Sequence, residues 1–439
     1  ISFVEPDFNL NCFLYLHSFC NFSPDSFVPL INKNSGMLKT WITGCLICCA
    51  CVTNGSAQNS RAIRIYGEVT TVMNRKICGY ITWGKNLYWT DIFAAGKIGN
   101  PYMRYRDIMG DNVRFSDGRR DTPPEHEFSC RFGNIRSIRV IGDRRIELGV
   151  KGGNVTELER GRSLAIGNWI AVELRDGKTE SVVWDHISEI VFSAAPDTIP
   201  EPKDRPIAGI VETPYGMYKG LVQWDLDENS LGALLDGRTE SSGVSVAFKN
   251  IASIKSLGNS SLVTLHSGRE LYMWGENDVN ATNRGIAINL PSVGQVIVGW
   301  HDFKLFRSIP LDQLNLPVYD DFAAPERLSG RVETRDGLSL EGVLVYDLDE
   351  AMDFELLDGR NGNISYRIPF KYVREIEPKN YKYTWGKLSG GTELVLGTMC
   401  DVTAANDGIL VFRAGGEVVY VRWRDVKRVE LWIKVKQND

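Results

Sequence analysis

The sequence predicts an all-β chain of three tandem units, each a pair of small β-modules of about 50–60 residues. Three observations predict it. Three segments open alike: "GEVTTVMNRKICGYITW" from Gly67, "GIVETPYGMYKGLVQW" from Gly209 and "GRVETRDGLSLEGVLVY" from Gly330. Six motifs place an aromatic ahead of two apolar residues at spacing three. No segment carries a helical period longer than about two turns.

Each opening reads Gly-x-Val-x-Thr, then a second Gly 11 or 12 residues after the first, then an aromatic four beyond it: Trp83, Trp224 or Tyr346. Alternation and β-branched content spell strand, turn, strand. Tyr215-Gly216 and Asp336-Gly337 stand where the hairpin must reverse. The six closing motifs are Phe132-Ile135-Ile138, Trp184-Ile187-Ile190, Phe248-Ile251-Ile254, Trp300-Phe303-Phe306, Phe370-Val373-Ile376 and Trp423-Val426-Val429. Their aromatics lie 52, 52 and 53 residues apart within each pair. A strand repeats its facing at two residues, so spacing three requires a short 3₁₀ turn or a corner between strands. The even copies share a Glu-Leu pair (Glu147, Glu270, Glu393) and then Asn154-Val155, Asp278-Val279 or Asp401-Val402.

These marks divide the chain into a first unit at 58–193, a second at 207–309 and a third at 327–439. The Pro-rich stretches 194–206 and 310–326 read as stiff linkers, since proline cannot serve a central strand. The first unit carries an irregular insertion near 96–127. Strand, one-turn corner, strand resembles the way SH3-like and Sm-like barrels close. The resemblance rests on the Gly-x-Val-x-Thr opening and the six closing motifs, and covers most of residues 63–432. It concerns the fold alone and carries no function. Domains of about 60 residues bury only about 60% of their surface, so modules that share a core in pairs are expected rather than six separate barrels.

Residues 1–36 differ in composition from the rest and read as upstream sequence ahead of a start at Met37. Residues 37–57 then read as a secretory signal peptide: Lys39, an apolar run from Trp41 to Val52, and small residues at Gly55 and Ala57. A lipoprotein signal around Cys45 has too short an apolar run ahead of it. Six of the nine Cys precede residue 52, among them the Cys45-x-x-Cys48 pair, read here as apolar filler. Cys78, Cys130 and Cys400 remain, too few for a disulfide scaffold. Cys78 and Cys130 are the candidate bridge. The net charge of −5, without a basic stripe or tail, argues against a nucleic-acid partner.

"GLVQWDLDENSLGALLDG" from Gly220 returns as "GVLVYDLDEAMDFELLDG" from Gly342, with nine of 18 positions identical. Asp225, Asp227 and Glu228, with Asp347, Asp349 and Glu350, are candidate Ca²⁺ ligands, because carboxylates at i and i+2 on a loop suit an ion that takes six to eight oxygens. The competing and favoured reading is architectural: solvated acids between two strands, with Leu234, Leu235, Leu356 and Leu357 returning to the core. The first unit has Gly84-Lys85-Asn86 in that place. Tyr272, Trp274, Trp385 and Trp89 fall outside the shared positions and are the candidate ligand-binding aromatics, able to stack on sugar rings. Among the His residues, His186 and His301 sit inside closing motifs, and no nucleophile elbow, metalloprotease helix or phosphate loop is present in the sequence. The expected function is therefore non-catalytic: an exported binding or scaffold protein of the envelope or extracellular space, with an envelope protein or a polysaccharide as partner. Two alternatives stand beside it. One is a carbohydrate-binding protein using the four aromatics. The other is a hydrolase whose acids, or His126 with an acid, converge near the insertion.

Overall fold

The computed structural model describes residues 60–110, 127–161, 166–167, 169–240 and 242–432. The upstream and signal-peptide readings, His126 and residues 111–126 of the insertion lie outside them. The described chain is nearly all β, in two antiparallel sheets.

The first sheet holds β1 (Tyr66–Thr71), β2 (Lys76–Trp83), β3 (Ile92–Lys97), β4 (Glu127–Arg131), β5 (Ile135–Gly142), β6 (Arg145–Val150), β7 (Val155–Glu159), β8 (Ile170–Glu173), β9 (Thr179–Val182) and β10 (Ile187–Phe192). The second holds twenty strands. Ten of them are β11 (Ala208–Thr213), β12 (Gly216–Gln223), β13 (Leu234–Arg238), β14 (Gly243–Ala247), β15 (Ile251–Ser256), β16 (Ser260–Leu265), β17 (Glu270–Trp274), β18 (Ile286–Leu290), β19 (Gly294–Val298) and β20 (Leu305–Ser308). The other ten are β21 (Ser329–Thr334), β22 (Ser339–Tyr346), β23 (Leu356–Asn361), β24 (Ile364–Pro369), β25 (Val373–Pro378), β26 (Tyr383–Leu388), β27 (Glu393–Gly397), β28 (Ile409–Phe412), β29 (Val418–Val421) and β30 (Val426–Leu431).

The first sheet is ordered β4-β3-β7-β6-β5-β10-β1-β2-β8-β9. The same order of pairings runs β14-β13-β17-β16-β15-β20-β11-β12-β18-β19 and again β24-β23-β27-β26-β25-β30-β21-β22-β28-β29. Antiparallel pairing of β19 with β24, Gln295 facing Arg367 and Val298 facing Ile364, joins the last two sets into one sheet.

The paired glycines of the openings have a steric cause. Gly67, Gly330, Gly79, Gly220 and Gly342 each lie so close to a carbonyl oxygen of the facing strand that a Cβ would collide with it. Without side chains there, β1, β2 and their counterparts can bend across their neighbours. Each closing motif begins a three-residue 3₁₀ turn: Phe132–Asn134, Trp184–His186, Phe248–Asn250, Trp300–Asp302, Phe370–Tyr372 and Trp423–Asp425. The six aromatics are all buried, and the apolar residues at spacing three enter the same cores.

One core lies inside the first sheet, and another runs through both halves of the second. The first core also takes in Tyr319 and Phe322 from the 310–326 stretch, and Phe354. That stretch is therefore packed, not merely a spacer: Tyr319 stacks on Trp89 at 4.6 Å and its hydroxyl donates to Ile135 O at 3.1 Å. Cys78, Cys130 and Cys400 are all free thiols, which corrects the candidate bridge. Cys130 is buried in the first core while Cys78 is exposed, so the two do not face one another.

Candidate functional site

Both Asp-Leu-Asp-Glu copies are tight hairpin turns. Asp225 and Leu226 have φ of 48° and 56°, and Asp347 and Leu348 repeat this at 47° and 54°. Asp tolerates the left-handed region better than most residues, which accounts for the first position. Leu does not, and in the second copy burial of Leu348 against Met109, Val345 and Leu410 offsets the strain. Trp224 O accepts from Asp227 N and Glu228 N, both at 2.9 Å, and Tyr346 O accepts from Asp349 N and Glu350 N likewise. In the first sheet Gly84, with φ 61°, and Lys85 make the same reversal between Trp83 and Asn86. The repeated acids thus occupy a conserved backbone device of this molecule.

Their carboxylates do not act as one group. The fully buried Asp225 comes together with Glu228 and Asp278, and the buried Asp347 with Cys400 and Asp401, each trio having ligand atoms within 4.8 Å of one another. Asp278 and Asp401 sit on matching 3₁₀ turns, Asn277–Val279 and Cys400–Val402. Each also accepts a backbone N–H, from Asp236 or Asp358, at 2.7 Å. Asp227 and Asp349 point elsewhere, toward Lys85 and Arg284 and toward Lys97. Of the six candidate ligands, Asp225 and Glu228 thus fall in the first group and Asp347 in the second, while Asp227 and Asp349 form ion pairs.

The two pockets differ in one decisive residue. In the first, Arg284 sits on Asp225, its Nε at 2.9 Å and Nη2 at 2.7 Å, while its own backbone N–H and the Asn277 amide donate to the same carboxylate. In the second, Asp407 occupies the place of Arg284, and its backbone N–H donates to Asp347. Cys400 stands in the place of Asn277, its thiol 3.2 Å from Asp401 Oδ1. Burial pushes Glu228 up to about 8, with Asp278 raising it further, and burial pushes Asp278 up to about 6. Glu350 is held well above the carboxylate range by burial and then by Asp349 and Asp401. Lys97 lies 2.7 Å from Asp349 and 3.4 Å from Glu355. Glu355 is also a structural acceptor, taking Ala351 N at 2.7 Å and Met352 N at 2.8 Å.

Of the candidate aromatics, Trp89 is corrected: it is 1% exposed, enclosed by Phe192 and Tyr319. Tyr272 is 52% exposed and Trp274 partly exposed, their rings 5.5 Å apart and tilted by 47° on the outer face of β17. Ser260 donates to the Tyr272 hydroxyl at 2.9 Å, and the Arg238–Glu276 pair flanks the strand end. Trp385 is partly exposed on β26, with Lys379 over its ring at 5.3 Å and its Nε1 donating to Glu393 at 3.3 Å. Tyr381 and Tyr383 beside it are exposed.

A cleft of about 620 Å³ borders the start of the insertion, lined by Lys97, Tyr102, Phe128, Glu157, Asp349 and Glu355 among others. His301 is a turn residue whose Nδ1 lies 3.2 Å from Asp302. Sequence reasoning did not place Asp278, Cys400 and Asp401 in a site, although the recurring Asp278-Val279 and Asp401-Val402 pairs marked two of them. Arg284 and Lys97 left no local signal. Comparison with known protein families finds none that matches this chain, and no curated protein matches it.

Proposed function

We propose that the chain is an exported, non-catalytic binding or scaffold protein of the cell envelope or extracellular space, built of three tandem units that each pair two SH3-like or Sm-like modules. The repeated order of ten strands supports the tandem reading, and repeated small modules suit extended binding surfaces. The observation that carries a binding role is the Tyr272–Trp274 pair. Two neighbouring rings on one strand, Tyr272 exposed and Trp274 partly exposed, with a hydroxyl and an ion pair at their edge, form a platform for the apolar face of a sugar ring. A polysaccharide is thus the favoured partner, and Trp385 with Tyr383 offers a second platform on β26. The net charge of −5 disfavours a nucleic-acid partner.

The test is retention of the full chain on insoluble polysaccharides and, in parallel, on envelope fractions. Retention on polysaccharide that falls at least about fivefold in Tyr272→Ala/Trp274→Ala is expected, since each stacked ring contributes about 1 kcal/mol. Retention on envelope protein alone, unchanged in that variant, would turn the reading from sugar binding to scaffolding. No retention on either would overturn it.

The cleft at the insertion favours a second reading, a hydrolase, because Asp349, Glu355 and Glu157 line it together. Against it, Lys97 pairs with both Asp349 and Glu355. Release of soluble sugar from the retained polysaccharide, abolished in Glu157→Gln, would favour that reading instead.

A further inference from the structure

Each set of ten strands ends in two strands: β4 and β9, β14 and β19, β24 and β29. Five of these six ends are covered or charged. β19 and β24 pair with each other. On β4, Phe128 packs against Phe354 and Arg131 donates to Leu290 O. β9 carries Glu180, which pairs with Arg75. On β29, Val418 and Tyr420 pack into the cluster around Met109. β14 is neither covered nor charged. It reads Gly243-Val244-Ser245-Val246-Ala247, and among the described residues it pairs with β13 alone. Sheet edges are ordinarily blunted by charge, proline or a covering segment, and an edge without them is a template for another strand. The chain uses the counterpart edge in this way itself, since β24 stands where β14 does and accepts β19.

The β19–β24 junction also narrows what β14 can accept. Gly294 opens β19, and a Cβ there would collide with Arg367 O. Lys178 and Glu417 hold the matching positions ahead of β9 and β29, so neither strand can repeat that seat. β14 is instead complementary to itself. Turned antiparallel about Ser245 onto a second β14, it sets Val244 opposite Val246 and Gly243 opposite Ala247. Val246 is buried and Val244 packs against the same core, so the pairing meets apolar with apolar and small with small. No like charges meet across the twofold axis. We propose that β14 is an assembly edge on which a second copy of this chain docks its own β14, antiparallel and in the register that places Ser245 opposite Ser245. The interface is independent of the aromatic platform and of any ligand there.

The experiment is sedimentation velocity of the full chain over a dilution series, with cysteine cross-linking to read the register. Wild type should sediment as a dimer that dissociates on dilution. Ser245 is exposed and its hydroxyl donates to Asp236, so a lysine there is tolerated by the single chain. In the dimer it opposes its own copy, and Ser245→Lys should raise the dissociation constant at least about fivefold while keeping the circular dichroism spectrum. Directly opposed residues have Cβ atoms about 5 Å apart, so Ser245→Cys should form a disulfide-linked dimer with oxidised glutathione. Gly243 has open space for a Cβ and also takes a cysteine. Its copy lies about 14 Å away along the strand, beyond disulfide reach, so Gly243→Cys should show only the background of the native cysteines. A monomer at every concentration would overturn the proposal, as would a monomer that instead captures an extended segment of a different protein. Equal cross-linking at both positions, or a dimer that folded Ser245→Lys leaves unchanged, would place the contact elsewhere and overturn it too.

Discussion

At the scale of single residues, the fate of a buried carboxylate is set by what stands opposite it. Asp225 is fully buried and survives because Arg284, Asn277 and a backbone N–H all donate to it. Arg284→Ala should cost about 2 kcal/mol in chemical denaturation, because it leaves a buried charge short of its strongest donor. Arg284→Lys should recover only part, since one ammonium cannot place two donors in a fork. Glu228 behaves differently. Its folded pKa of about 8 lies above the ordinary value near 4.3, so the folded state holds the proton more tightly. The stability this gives is full below pH of about 4.3 and is lost as pH rises through 8. Thermal unfolding of Glu228→Gln against wild type should show the variant gaining between pH 5 and pH 9, and parallel curves would refute the assignment. The Asp-Leu-Asp-Glu copies were conspicuous in the sequence because they repeat. Their partners were not, because Arg284 lies 59 positions from Asp225 and is absent from the other copy. Trp89 misled for a related reason: what buries it is Tyr319, from a stretch that reads as a linker.

At the scale of the element, legibility was high where local sterics leave one solution. Aromatic and apolar residues at spacing three cannot lie on one face of a strand, and all six became 3₁₀ turns between strands. The glycines of the openings follow the same logic. A Cβ on Gly330 would enter the space of Glu430 O, where the pairing of β21 with β30 leaves no freedom to retreat. Gly330→Ala should therefore cost about 3 kcal/mol in denaturant unfolding, at the upper end for overpacking. Gly337→Ala tests a different cause: it has open space but φ of 92°, so its cost should be smaller and purely conformational. The edge pairing of β19 with β24 was not legible. Nothing in either strand distinguishes an edge that meets solvent from one that meets another strand.

At the scale of the whole molecule, the question is whether the first sheet folds apart from the second. Its core is separate, but the links to the rest are buried and polar as well as apolar. Asp91 accepts from Asn289 at 2.6 Å, the buried Arg131 donates to Leu290 O at 2.8 Å, and Lys97 reaches Asp349. Phe322 seats its ring on Gly133, where any side chain would collide with it, and Phe354 packs on Phe128 at 6.0 Å. Each polar link has its partner only when both sheets are folded, so separating them exposes the apolar ring contacts and leaves buried charges unmatched. The described chain should accordingly unfold in one calorimetric transition, with the first sheet melting together with the second. Loss of the Phe322 ring should cost about 3–4 kcal/mol, and Lys97→Met removes the cation that Asp349 faces. In the double variant the shared stabilisation falls while each core keeps its own residues, so the single transition should divide into two, the smaller belonging to the first sheet. Two transitions already present in the wild type would mean that the buried links are too weak to couple the sheets, and the two cores would then be independent folding units.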